Sequence, residues 1–292
     1  MARDSVAQVR TIVLDWHQDH FVEFPWRTSK NPYHSLVGGF CTQQTQMSRA
    51  LETHTRWLNA FPTVADLAAA EMSQVIRVWG KTGYPRRAVH LQQAAQQCVE
   101  RFGGQIPSEL EDLLSLPGVG PFTAEIVRCF GFGLEVITTD TNIVRIFGRI
   151  FQGDLQPIKD TGKDTIKQLS AQFVALGHTN LINPALMDFG AAVCTGRPKC
   201  ESCPVSHICK AVTKFRSGQV PKPQRRNKVY AGSDREWRGK ILEILRQYSR
   251  PVSEKKIKKI LNLESEEQTE RLLAGLEKDL LISREKHLVR LG

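Results

Sequence analysis

The sequence predicts a mainly α-helical protein that ends in a small α+β domain. Apolar residues recur at every third or fourth position through most of the first 176 residues, and loops that contain Pro or Gly separate most of these segments. Strand-like alternation is found only near the C-terminal end. Because 292 residues exceed one average domain, we expect two or three packed units.

The periodicity defines the individual elements. In the main body the predicted helices are Ser5–His20, Gln46–Phe61, Val64–Ala70, Glu71–Trp79, Arg86–Phe102, Ser108–Leu114, Phe122–Phe130, Asn142–Phe151 and Asp160–Leu176. Residues 213–234 are rich in Lys, Arg, Pro and Gly and are predicted to form a basic, extended linker. Beyond the linker, helices are predicted at Glu236–Tyr248, Ser253–Leu261 and Glu264–Leu280, followed by a hairpin at Leu281–Leu291. This order is typical of a winged helix, which we place at residues 235–292.

Charge and hydropathy narrow the classes of function. The formal net charge of +10 favours a polyanionic partner. No apolar run reaches the roughly eighteen residues that would span a bilayer, and residues 1–10 lack the apolar core of a signal peptide. We therefore expect a cytoplasmic protein that does not bind membranes.

Four of the seven cysteines lie close together, at Cys194, Cys200, Cys203 and Cys209. In a chain without signs of secretion, such a group indicates a metal site rather than disulfides. Four thiolates suit either a tetrahedral zinc ion or an iron–sulfur cubane, and ligand chemistry does not choose between them. The other three cysteines lie among apolar neighbours and are predicted to be core thiols.

A glycine-rich turn separates two predicted helices in the middle of the chain. Within Leu116–Ala124, Gly118, Val119 and Gly120 allow a tight turn with exposed N–H groups that fit a phosphate. Asp140 follows eighteen residues after Phe122, at the start of another predicted helix. On its own, Asp140 in this position is also a good helix N-cap.

These features together resemble the helix-hairpin-helix DNA glycosylases of the endonuclease III and adenine glycosylase (MutY) superfamily. The resemblance covers residues 24–210 and rests on short motifs in matching order and spacing: Pro25-Trp26-Arg27, Pro32-Tyr33, Gln43-Gln44-Thr45-Gln46, Phe61-Pro62-Thr63, Trp79, Gly83-Tyr84, Leu116–Ala124, Asp140 and Met187-Asp188-Phe189-Gly190.

The resemblance implies a two-lobed helical fold. Residues 1–28 and 134–212 would form the domain that carries the cysteine loop, and residues 29–133 a helical barrel domain with the helix-hairpin-helix. It also implies that the four cysteines bind a 4Fe–4S cluster. The loop departs from the family pattern, because the spacing between Cys194 and Cys200 is one residue shorter than usual.

The implied activity is excision of a base that is flipped out of duplex DNA. By resemblance, Gln43, Gln44 and Tyr84 would enter the duplex as wedge residues. Tyr84 could instead be a core aromatic beside Trp79. The Gly118-Val119-Gly120 turn would bind backbone phosphates, as would Arg197 and Lys199 on the cysteine loop, unless these two are merely solvated loop charges.

Asp140 is the implied catalytic residue, because a carboxylate stabilises the positive charge that develops on the sugar. Gly39, Phe122 and Asn142 are expected to line the base pocket. Adenine glycosylases carry a glutamate that acts as a general acid at the position of Gly39. Bifunctional relatives carry a lysine nucleophile at the position of Phe122. We therefore expect a monofunctional glycosylase for another damaged or mismatched base.

Two alternatives stay open at this stage. Loss of the glutamate would also suit a protein that binds lesions without excising them. The predicted winged helix has acidic residues at the start of its third helix, which would repel phosphates, so a protein contact or an intramolecular role suits this domain at least as well as DNA binding. We expect a monomer associated with the nucleoid.

Overall fold

The computed structural model describes residues 3–221 and 230–292. These divide into two units: residues 3–39, 108–114 and 119–221 form the first, and residues 40–107, 115–118 and 230–292 form the second. Part of the predicted linker, residues 222–229, lies outside the described residues. In residues 3–221 and 230–292, no helix is both long and apolar enough to cross a membrane.

Helices make up most of both units, in agreement with the predicted fold class. In chain order they are α1 (Arg3–Gln18), α2 (Pro25–Thr28), α3 (Pro32–Thr42), α4 (Met47–Ala60), α5 (Val64–Ala69), α6 (Met72–Trp79), α7 (Arg86–Phe102), α8 (Leu110–Ser115), α9 (Pro121–Ile126), α10 (Thr141–Phe147), α11 (Pro157–Asp160), α12 (Lys163–Val174), α13 (Thr179–Ala192), α14 (Val212–Arg216), α15 (Asp234–Gln247), α16 (Glu254–Leu261) and α17 (Glu266–Lys278). Single π-helical turns, Val127–Gly131 and Gly148–Gln152, extend α9 and α10.

The first unit has its own hydrophobic core. One face of α1 buries Val6, Val9 and Val13 completely, and α1 packs against α12 and α13. The rings of Phe147 and Phe173 stack inside this core with their centroids 5.0 Å apart. The apolar residues of α1 thus form the buried face that its periodicity predicts. Their packing fixes the N-terminal helix beside the segment that carries the cysteines.

The second unit includes the C-terminal region. Ile241, Leu242 and Leu245 of α15 share a core with Ile76 of α6 and Val89 of α7. Three antiparallel strands complete the region in the order β1-β3-β2, with β1 at Val252–Ser253, β2 at Ile282–Glu285 and β3 at Leu288–Leu291. The predicted hairpin is confirmed.

Two long helices, α3 and α13, escaped the sequence prediction. Helix α3 contains Gly38 and Gly39, and α13 contains Pro184, residues that lower helix propensity. Packing overrides propensity at Gly38, because a Cβ there would lie 2.3 Å from Cβ of Trp26. The predicted extended linker is wrong at its start, because residues 213–216 belong to α14. Lys214 of this helix donates a hydrogen bond to the Gly153 carbonyl (2.7 Å).

Candidate active site and nucleic-acid interface

The glycine-rich turn lies between α8 and α9, as the sequence predicts. Gly118 has φ +75°, and a Cβ there would meet Cβ of His90 and the ring of Phe40 at 2.8 Å. Only glycine satisfies both constraints. Val119 is buried, and Gly120 is the N-cap of α9 with Pro121 as its first residue.

Asp140 is the N-cap of α10. Its Oδ1 accepts a hydrogen bond from the Ile143 amide (2.7 Å), and its Oδ2 accepts one from Asn142 Nδ2 (2.8 Å). Burial raises the pKa of the Asp140 carboxyl above its ordinary value, although these hydrogen bonds and the nearby Arg145 lower it. The structure therefore confirms the capping role, and it holds the carboxyl in one orientation within a poorly solvated site.

A second carboxylate, which the sequence reasoning missed, holds the residue before Asp140. Glu125 of α9 accepts hydrogen bonds from the amide of Thr139 (2.7 Å) and from its hydroxyl (2.9 Å). Burial raises the pKa of Glu125, and the Thr139 hydrogen bonds oppose this shift. Glu125 and Asp140 both line a cavity of about 670 Å³. A lone Glu within the apolar run of α9 was the available signal.

Gly39 is closely packed. A Cβ at this position would lie 2.9 Å from the Thr123 methyl group, so any side chain there requires Thr123 to move. Phe122, the neighbour of Thr123 on α9, is partly buried against the first core and offers no ionisable group. Asn142 is fixed from both sides, since its Oδ1 also accepts a hydrogen bond from Arg145 (2.6 Å).

The three predicted wedge residues lie on two loops of the second unit. Gln44 and Tyr84 have positive φ angles, +52° and +46°, which non-glycine residues rarely adopt. Tyr84 is 47% exposed, so it is not the core aromatic of the alternative interpretation. Gln43, Gln44 and Tyr84 line one cavity of about 990 Å³.

Arg87, also missed by the sequence reasoning, joins these two loops. Its guanidinium is buried and donates hydrogen bonds to the carbonyls of Gln43 (2.6 Å) and Gly83 (3.0 Å). It also lies over the rings of Trp79 and Tyr84, with distances of 5.0 and 5.4 Å to the ring centroids. The residues immediately before Gln44 and Tyr84 are thus held by a single side chain.

The four clustered cysteines have free thiols in one loop of the first unit. Burial, and after it the proximity of Cys194, Cys200 and Cys209, raises the pKa of the Cys203 thiol to about 12. In the described part of the chain, no three His, Cys, Asp or Glu side chains form a group that could hold a metal ion.

The basic residues on the cysteine loop are exposed. Arg197 and Lys199 line a surface cavity of about 560 Å³ together with Arg216 of α14. Three cations on one open surface suit phosphate groups, although the geometry alone also suits solvated charges.

Comparisons with known proteins agree with this arrangement. Residues 37–176 match the family described as "HhH-GPD superfamily base excision DNA repair protein". Adenine DNA glycosylases of Mycolicibacterium smegmatis and Mycobacterium tuberculosis are both 34% identical, over 92% and 94% of this chain and 91% and 90% of their own lengths. This chain belongs to the HhH-GPD superfamily. It is a DNA glycosylase of base excision repair.

Other matches extend the comparison to further members. A thymine/uracil-DNA glycosylase of Methanothermobacter thermautotrophicus is 29% identical over 70% of this chain and 93% of its own length. The structure of a thermostable thymine-DNA glycosylase superposes with a TM-score of 0.65 and 26% identity, over 72% of this chain and 98% of that one. Endonuclease III in a trapped covalent complex with DNA has a TM-score of 0.61 at 19% identity, which shows the shared fold.

The mycobacterial matches also bear on the C-terminal region. They cover over nine tenths of this chain, so much of the winged-helix-like region must lie inside the aligned part. The region therefore does not by itself distinguish this chain from adenine glycosylases. The alternative of a lesion binder without activity finds no support among these relatives.

Proposed function

We propose that this glycosylase is monofunctional and hydrolyses the N-glycosidic bond of a damaged or mismatched base flipped out of duplex DNA, with Asp140 as its catalytic residue. The fixed, partly desolvated carboxyl of Asp140 carries the proposal. A carboxylate held in such a site stabilises developing positive charge on the sugar more strongly than one in water. The two hydrogen bonds that orient it need no rearrangement during the reaction.

The residue at the position of the expected lysine supports the monofunctional assignment. A lyase step forms a Schiff base between an amine and the sugar. Phe122 stands where the bifunctional relatives are expected to have their lysine, and its ring cannot form that bond. In the proposed reaction, water is the nucleophile.

Gly39 bears on the choice of base. Without a carboxylic acid at this position, a base that leaves without strong protonation is favoured, and deaminated or mismatched pyrimidines are such bases. The relative named as a thymine/uracil-DNA glycosylase supports uracil or thymine opposite guanine as the first substrates to test. Adenine is the second candidate, favoured by the mycobacterial relatives that match over nine tenths of their length.

The wedge residues would fill the space that the flipped base leaves. Gln43 and Gln44 offer amide hydrogen bonds, and the exposed ring of Tyr84 offers stacking. Two exposed residues in strained backbone conformations, held by one buried arginine, are typical of loops shaped for function. The Gly118–Gly120 turn and the exposed pair Arg197 and Lys199 would bind backbone phosphates.

The donor set of the cysteine loop suits a 4Fe–4S cluster, which takes one thiolate on each iron and so needs the four sulfurs farther apart than a single metal ion does. Four soft thiols are near enough to perturb one another, and Arg149 donates a hydrogen bond to Cys194 Sγ (3.6 Å), as donors to cluster sulfurs do. When bound, the cluster would cross-link a loop whose Val205 and Ile208 pack against the first core. Cys194, Cys200, Cys203 and Cys209 would be its ligands, and they would thereby fix Arg197 and Lys199.

An excision assay tests the proposed function. Purified protein in excess is incubated with duplexes that contain uracil or thymine opposite guanine, hypoxanthine, alkylated bases, or adenine opposite 8-oxoguanine, and half of each sample is then heated in alkali. We expect strand cleavage on at least one damaged or mismatched duplex only after alkali. Cleavage without alkali would contradict the monofunctional assignment, and no release from any duplex would contradict excision.

A further inference from the structure

Several acidic residues of the C-terminal region pair with basic ones. Glu270 of α17 pairs with Arg284 (2.6 Å), and Glu266 pairs with Lys258. Helix α17 therefore presents acidic residues and paired charges, without an excess of cations for phosphates. The usual third helix of a winged helix is thus a poor candidate for DNA contact here.

The opposite situation exists along α15. This helix and the segment before it form one wall of the cavity that the wedge residues line, within the second unit. Six Lys or Arg side chains and two Asp side chains line the cavity, a formal net charge of +4. The cationic lining comprises Arg49, Lys81, Arg86, Arg87, Arg235 and Arg238.

Pairing leaves two of these cations available. Both aspartates are engaged, Asp279 by Arg86 and Arg238, and Asp234 by Arg271 from outside the cavity. Lys81 pairs with Glu243 and Arg87 is buried among carbonyls. Over the described residues, Arg49 and Arg235 have no carboxylate within ion-pair distance.

Arg235 is held in place without losing its charge. Its guanidinium lies over the ring of Tyr230, 4.9 Å from the centroid, and Tyr230 itself is 51% exposed. Such stacking restricts the side chain but leaves its N–H donors free for oxygen acceptors.

The wall that carries Arg235 is fixed to the rest of the unit. Arg77 of α6 donates hydrogen bonds to the carbonyls of Arg246 and Tyr248, at the end of α15. Together with the shared core around Ile76, these bonds hold α15 against the barrel helices. A cation on α15 is therefore at a defined place relative to Gln43, Gln44 and Tyr84.

We propose that the C-terminal region is part of the DNA-binding surface and contacts the sugar–phosphate backbone beside the wedge residues, with Arg235 on one side of the cavity and Arg49 on the other. The placement of the DNA rests on the proposed function, since the wedge residues bring the duplex to this cavity. Two unpaired arginines and two exposed tyrosines beside the proposed wedge residues suit the phosphates and sugars of a duplex, because guanidinium groups bind phosphate in a bidentate manner.

A matched pair of variants tests this surface. R235Q removes one cation from the cavity wall. K240Q removes one from the same helix outside the cavity, where Lys240 pairs with Glu236 (2.8 Å) and lies over Trp237. Affinity for a duplex with a stable abasic-site analogue is measured by fluorescence anisotropy at several salt concentrations. We expect R235Q to bind several-fold more weakly and to lower the salt slope by about 1, and K240Q to match wild type.

The double variant R49Q/R235Q provides the second measurement. If each arginine contacts a phosphate, the slope falls by about 2 relative to wild type. A wild-type salt slope in R235Q, or equal losses of DNA affinity in R235Q and K240Q, would overturn the proposal. Contact with a protein would then be the remaining role for the C-terminal region. Excision measured at saturating enzyme separates the two proposals. If the wild-type protein releases no base, while R235Q still binds DNA more weakly and with a lower salt slope than wild type, the proposed function alone is refuted.

Discussion

Replacement of Asp140 by asparagine separates its capping role from the proposed catalytic role. The change keeps the Oδ1 acceptor for the Ile143 amide, and asparagine caps helices about as well as aspartate. The hydrogen bond from Asn142 is lost because two NH2 groups, both donors, then face each other, which costs about 1 kcal/mol. Removal of a partly desolvated charge offsets this cost. We therefore expect a free energy of unfolding within about 1 kcal/mol of wild type.

The effect on rate should be far larger. Loss of one preorganised electrostatic contact in an active site lowers the rate about a hundred- to a thousandfold. Single-turnover excision on the substrate found above measures this rate, while anisotropy and thermal unfolding check binding and folding. A D140N variant that keeps most of the wild-type rate would refute the catalytic assignment and leave Asp140 as a helix cap.

The raised pKa of Asp140 adds a second test with a defined sign. Burial favours the protonated carboxyl in the folded protein, so the stability that Asp140 contributes is fully present below pH about 4 and is lost as pH rises through its folded pKa. The unfolding free energy of wild type should thus fall relative to D140N over that interval. The rate should require ionised Asp140, so its acid limb should lie above the ordinary range of an aspartate.

Three further predictions concern neighbouring groups. Gly39→Glu should restore adenine excision only together with T123S, which removes the methyl group in its way; activity of the single variant would contradict the packing argument. E125L should slow excision about ten- to a hundredfold by freeing Thr139, and E125Q should restore the rate. Equal excision rates in E125L and E125Q would exclude a positioning role for Glu125. C203S should lose iron and lower the unfolding temperature; full iron content would contradict its ligand role.

The sequence predicts this fold well where one principle decides the outcome. Helices such as α1 and α7 follow from periodicity alone, because each buries one continuous apolar stripe. Helix α3 does not follow from periodicity, because contacts with residues elsewhere in the chain require its glycines. Trp26 covers Gly38, and Thr123 closes the space above Gly39. Close approach between segments far apart in sequence leaves no local signal.

The same distinction applies to the candidate site. Asp140, the glycine turn and the proposed wedge residues lie in local motifs, and so the sequence alone is enough to predict a role for them. Glu125 and Arg87 carry none, since their roles are hydrogen bonds to backbone groups 14 and 44 residues away. Any sequence that presents an N–H group to Glu125 or a carbonyl to Arg87 satisfies them, so the residue types around each bond do not identify the partner.

Arg87 also shows how the fold maintains the strained loops. A buried charge without a counter-ion is costly, and burial lowers the pKa of Arg87 accordingly. Among the residues that the structure describes, its Nε has no hydrogen-bond partner, so the guanidinium is not fully satisfied even here. An apolar side chain would avoid this cost but could not bind the carbonyls beside Gln44 and Tyr84. The energetic cost is therefore best explained by the shape of the two loops, which on the proposed function must stay in place when the duplex is opened.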